Sequence, residues 1–409
     1  MNRFLRIMSL LSLLLLCFTA CEYEGPDAVW QDNPQGDTAP EITSVEPAGI
    51  ASAGATKIRI LGNNFSSVFE ENFVYFDNVQ VDVYTSSESE LLVYRPNLVA
   101  EDITISVVTR RALEDAKFTN YAVSDIGSQL YTMRELGTLN TMIVDENENM
   151  FIHSNRKTYL QVSKEAGFVQ LMTTLPRVVY DLKMGPGGVV YVGRDEKYLM
   201  VVRPDGTEFE KWANGLPQKV KYLDFDENLN IYAGGKRSGI LKIGLDESVV
   251  SLGGYENHDI AGVRVYNGEL YVAASYLGDD GLDLAFGIYK HTINADGTLG
   301  ERTVFVDWSK TGGFVETTFS DFEFDEDGIL LVSTNGGEGF NLDPMMMVYP
   351  DGTVDTFYKG GILSGPILGM AWGSGETLYY FKTDSDGLIF TIHEMGMAKR
   401  CAPRYGRQS

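Results

Sequence analysis

From Pro40 onward the chain is a succession of short apolar runs separated by Gly, Asp, Asn and Pro, with no stripe at helical spacing. Ile42–Val45, Lys57–Leu61, Phe73–Phe76, Val79–Tyr84, Leu91–Tyr94, Ile103–Val108 and Phe118–Val123 follow one another at roughly ten-residue intervals. Seven short strands so spaced predict a β-sandwich over residues 40–124.

Residues 125–400 carry an internal repeat. The segments Leu139–Ile152, Val179–Val192, Val220–Ala233, Ile260–Ala273, Phe319–Val332 and Ile367–Tyr380 each read apolar strand, polar turn, apolar strand. Phe151, Tyr191, Tyr232, Tyr271, Leu331 and Tyr379 hold equivalent places in them. Further turns, Pro204-Asp205-Gly206, Ala295-Asp296-Gly297 and Pro350-Asp351-Gly352, join two more strands within a unit, as Asp-Gly hairpins do. Four strands per unit, six times over, predict an all-β chain: a sandwich followed by a six-bladed β-propeller. The last unit runs out after its third strand, so Gln129–Leu136 is expected to complete it as an outer strand and remove the open edge. Residues 401–409 read as a tail.

Before Pro40 the pattern differs. Arg3 and Arg6 precede an apolar run, Ile7–Leu16, which ends in Phe18-Thr19-Ala20-Cys21. A basic start, a short apolar core and small residues predict a secretory leader over 1–20, too short to span a bilayer. Residues 21–39 are rich in acidic residues, Pro and Gly and read as a flexible linker.

Composition narrows the chemistry. With 33 Lys and Arg against 57 Asp and Glu, the net charge is −24, which excludes a nucleic-acid footprint. Beyond Cys17 in the leader and Cys21, Cys401 is the only thiol, so the mature chain offers no internal disulfide. Four scattered histidines and the lack of a His-Glu-x-x-His or cysteine cluster argue against a transition-metal centre. No nucleophile elbow or phosphate loop occurs. No cofactor is expected; the one weak opening is Ca²⁺ at acidic turns such as Asp325-Glu326-Asp327-Gly328 and Asp279-Asp280-Gly281.

Three resemblances add to this. Phe18-Thr19-Ala20-Cys21 resembles the lipobox of bacterial lipoproteins, which implies acylation of Cys21, and Glu22, Glu24 and Asp27 resemble the surface-export signal of Bacteroidetes lipoproteins. Ile42-Thr43-Ser44-Val45-Glu46-Pro47, Gly54, Ile58-Arg59-Ile60-Leu61-Gly62-Asn63-Asn64-Phe65, Asn72–Phe76 and Tyr94-Arg95-Pro96 resemble an IPT/TIG domain of the immunoglobulin-like class. That resemblance implies a spacer, with Gly62 freeing a sharp turn and Phe65 entering the core. The repeats resemble NHL-type six-bladed propellers, though no single motif carries the match.

In such a propeller, the hairpins joining strands one to two and three to four of each blade share a turn face. The two-to-three loops and the connections between blades share the opposite, loop face. Length varies on the loop face, at Ser275–Phe286 in blade four and Asn335–Pro344 in blade five, and variable loops on a rigid scaffold are where binding concentrates. Tyr180, Asp181, Lys221, Tyr222, Ser320 and Asp321 begin inner strands and are expected at the channel mouth there. Trp212 and Trp308 fall near blade connections, and Tyr276, Asn335 and Phe340 fall in or beside the long loops. Aromatic planes with carboxylates and amides suit a carbohydrate. Trp372, at the far end of an inner strand, reads as packing.

The expected function is glycan binding by an outer-membrane, surface-exposed lipoprotein. It resembles the accessory binders of Bacteroidetes polysaccharide-utilisation systems, which implies an importer or other surface lipoproteins as partners. Two alternatives stand beside it: a protein-interaction scaffold in an envelope complex, and a propeller hydrolase or lyase using Asp181 and Asp321.

Overall fold

A computed structural model of the chain describes residues 36–133, 138–155, 158–164, 167–175, 178–205, 209–337, 342–384 and 389–407. The leader, the Cys21 acylation site, Phe340 and the last three residues (134–136) of the expected closing strand lie outside the described residues. The fold is all-β. No helix among the described residues is long and apolar enough to cross a membrane.

Residues 41–123 form two facing sheets, one of four strands and one of five. Alternation does the sorting, since successive side chains point to opposite faces. In Asn72–Phe76, Asn72, Val74 and Phe76 are buried while Phe73 and Tyr75 are less so. Phe65 enters this core as expected. Gly62 serves differently from its expected part: it lacks a positive φ, but a Cβ there would overlap the Glu41 carbonyl and the Phe65 ring. The left-handed residue of the segment is Asn64, at φ 59°.

Six four-stranded antiparallel sheets follow. Their inner strands, beginning at Leu139, Asp181, Tyr222, His258, Phe319 and Ile367, neighbour one another in a closed cycle, which makes the array a six-bladed propeller. The ring closes as the sequence predicts. Ser128–Met133 pairs antiparallel with Phe390–Gly396 as the outer strand of the last blade. The acidic turns also find their reason. In Asp145, Asp226 and Asp325, one carboxylate oxygen accepts the amides two and four residues on, at 2.8–3.0 Å, which shapes the hairpin.

Two features depart from expectation. Residues 401–407 are not a loose tail. Ala402 N–H donates to the Phe324 carbonyl at 3.0 Å, and Arg407 donates to the Trp372 and Gly373 carbonyls at 3.0 and 3.2 Å. Gly406 fits so closely under the Met184 carbonyl and the Phe225 ring that a Cβ would overlap both. The segment therefore lies across the channel at the turn face.

The immunoglobulin-like module is not a free spacer either. Gly54 N–H donates to the Gly396 carbonyl at 2.9 Å, and the Tyr358 hydroxyl donates to the Ala53 carbonyl. Lys57 pairs with Asp355 and lies 4.3 Å from the centre of the Tyr84 ring. The Arg95 guanidinium, held within the module by the carbonyls of Ala51, Ser52 and Ser124, reaches across the junction to lie 5.8 Å from the centre of the Tyr358 ring. Buried side chains and backbone bonds thus fix the module against blades five and six.

Candidate functional site on the loop face

The inner strands place polar residues at two levels of the channel. Thr141, Asp181, Tyr222, Gly262, Asp321 and Gly369 sit opposite His153, Gly193, Gly234, Ala273, Ser333 and Phe381, one upper level. In four blades a register irregularity immediately precedes that residue, which re-aims the strand end. Two residues further along, Lys183, Asp224, Arg264 and Glu323 form a lower, charged level.

Burial decides how these charges behave. Arg264 bonds Asp321 at 2.8 Å and lies 3.4 Å from Glu323, and Arg404 from the C-terminal segment meets Glu323 at 2.8 Å. Burial works to raise Glu323, but Arg404 and Arg264 outweigh it and hold its carboxyl below the usual range. For Asp321 burial wins over Arg264 and the carboxyl is raised. Burial likewise pushes Asp181 up to about 6, against the opposing pull of Lys183 and Arg264. Beneath this network only about 40 Å³ remains on the axis before the C-terminal segment. That is room for a few waters at most, and the channel is no tunnel.

The carboxylates also have a structural task in common. Asp181 accepts the Leu223 amide at 3.0 Å, Asp224 the Val265 amide at 2.8 Å and Asp321 the Met370 amide at 3.1 Å. Each latches its blade to the inner strand of the next. Asp181 and Asp321 thus lie in one channel, as expected, but both are engaged with backbone.

Above them the mouth is more open. Tyr180 is 37% exposed, packs edge-on against Tyr222 at 6.1 Å and has the Lys221 ammonium 5.1 Å from its ring centre. Lys221 pairs with Asp259 at 2.9 Å. Five expected residues, Tyr180, Asp181, Lys221, Tyr222 and Asp321, are therefore brought together.

The others are not. Trp308 is buried among Phe286 and Phe319, its indole N–H donating to the Thr317 carbonyl at 3.2 Å, so it holds the blade connection rather than offering a face. Trp212 packs its edge on Tyr191 between blades two and three. Asn335 accepts the Thr318 and Gly337 amides at 2.8 and 3.1 Å and braces its loop. The Tyr276 hydroxyl donates to Asp280 at 2.9 Å within its own loop. Trp372 is core, as read from its position.

Sequence reading missed what holds the blade-four loop. Asp283 accepts from Tyr289 at 2.8 Å, pairs with Arg302 and lies 3.2 Å from His258. Burial and Arg302 hold His258 below its usual range despite Asp283. These residues stand far apart in sequence, and no spacing marks them.

Residues 40–124 match the model of the IPT/TIG domain. No curated protein matches the chain. Among solved structures, a protein of unknown function from Bacteroides thetaiotaomicron is similar at 14% identity and TM-score 0.48, over 90% of this chain and 99% of that one. An auxiliary nutrient binding protein from Bacteroides ovatus is similar at 14% identity and TM-score 0.46, over 88% and 98% of the two chains. A gluconolactonase from Xanthomonas campestris is similar at 11% identity and TM-score 0.49, over 65% of this chain and 88% of that one.

Proposed function

We propose that this protein is a non-enzymatic accessory glycan binder, held at the outer surface of the cell by acyl chains on Cys21, whose propeller captures oligosaccharide on the loop face. One observation carries the reading. Residues 401–407 block the channel at the turn face, and the channel carboxylates are taken up by amides and guanidinium groups. A half-exposed aromatic ring beside polar side chains is left at the loop-face mouth, in Tyr180, Lys221 and Asp259. Rings of that kind stack on the apolar faces of sugars, and the polar groups take hydroxyls. Importers of the same envelope are the partners this reading implies.

Affinity electrophoresis in gels cast with starch, xyloglucan, laminarin or mannan tests it. The chain is expected to be retarded in at least one gel, and Tyr180→Ala to weaken retention about tenfold, or about 1.4 kcal/mol. Turnover of the retained polysaccharide into shorter products would instead support a hydrolase or lyase.

A further inference from the structure

Away from the channel mouth, a cleft of about 710 Å³ lies where the immunoglobulin-like module meets the propeller. Its size falls in the range of about 300–1,000 Å³ usual for small-ligand sites. All but one of its walls belong to the propeller. The connection leaving blade four supplies Gly312, Gly313 and Phe314, and the connection leaving blade five supplies Lys359, Gly360 and Gly361. The remaining wall is Tyr94 of the immunoglobulin-like module. Each connection thus borders the cleft with a glycine pair, and a Cβ at any of the four would meet nothing within 4 Å, so bare backbone borders open space.

Charge identifies the class of occupant. Asp355 is matched by Lys57, and Lys359 by Asp82 at 2.6 Å. Asp343 spends its carboxylate on the Met345 and Tyr358 amides at 3.1 and 2.6 Å and on the Thr356 hydroxyl at 2.9 Å. A charged ligand would have to displace Lys57 or Asp82 from its partner, or compete with the neutral donors that already fill the Asp343 carboxylate. The Gly312 carbonyl accepts the Val315 amide at 3.3 Å, and a purely apolar occupant would shut water away from the other backbone groups of these glycines, which is unfavourable. Rings beside unshielded backbone groups fit a ligand with apolar faces and hydroxyl edges.

We infer that the cleft between the two modules is a second binding site for a neutral oligosaccharide, with Tyr94 and Phe314 as its apolar walls and the module at 40–124 as part of the site. The inference rests on the glycan-binding reading above and extends it to a place that reading does not use. Binding here makes the docked module functional, since undocking removes one wall.

The same affinity gels test it, with polygalacturonate and dextran sulfate gels as charged comparators. Gly313→Trp fills the cleft from a position where a Cβ has room. Lys359→Trp does so from the exposed opposite rim. Both variants are expected to melt as the unmodified chain does and to lose about tenfold in retention by the neutral gel. Unchanged retention of both variants, with Tyr180→Ala impaired, overturns the cleft and leaves the channel-mouth site standing. Retention only by charged gels overturns the neutral class. No retention of the unmodified chain by any gel overturns both sites.

Discussion

Arg264→Met is expected to destabilise the propeller by about 3–5 kcal/mol, the usual consequence of removing one partner from a buried ion pair. Arg264 lies between two blades and meets both Asp321 and Glu323, with side chains 8%, 24% and 8% exposed. Without it the two carboxylates keep only Arg404 and more distant Lys183 for compensation. The pH dependence follows from sign. Asp321, left buried without its ion-pair partner, binds a proton more tightly folded than unfolded, so the variant loses stability as pH rises. Its deficit in urea unfolding is expected to be larger at pH 8 than at pH 5. A deficit below about 1 kcal/mol, typical of an exposed pair, would show that the network carries little.

The second large effect belongs to the junction. Gly54 approaches Gly396 and Met397 so closely that any side chain overlaps the Met397 backbone. Gly54→Val is expected to cost about 1–3 kcal/mol of overpacking. Displacing the module relieves that strain more easily than distorting a propeller blade does. In small-angle scattering the variant is expected to show a larger radius of gyration than the unmodified chain, with the propeller's own melting little changed. Identical scattering would mean that the backbone yields locally and the modules stay docked.

Much of this architecture is legible in the sequence because strands and hairpins are local. Blade count and closure follow from turns such as Asp226-Glu227-Asn228 and from an outer strand, Ser128–Met133, missing from the last unit and present before the first. The site is less legible. Whether an aromatic residue after an outer strand faces solvent depends on what folds over it. Trp308 is covered by Phe286 and Phe319, while Tyr180, in a less conspicuous context, stays open. Cys401–Arg407 is short and polar and gives no period to read, yet it packs because carbonyls of separate blades converge beneath the channel. The junction depends on contacts such as Lys57 with Asp355, about 300 residues apart, which no local pattern announces.

Hydrogen–deuterium exchange of the full chain, with and without the polysaccharide that retards it, reads most directly which end of the propeller takes the ligand. Exchange is expected to slow in loop-face segments 311–315 and 358–361 and around Tyr180 and Lys221, and to stay unchanged in hairpins 145–149, 226–230 and 325–329. Slowing confined to those hairpins, with the loop-face segments unaffected, would contradict the account.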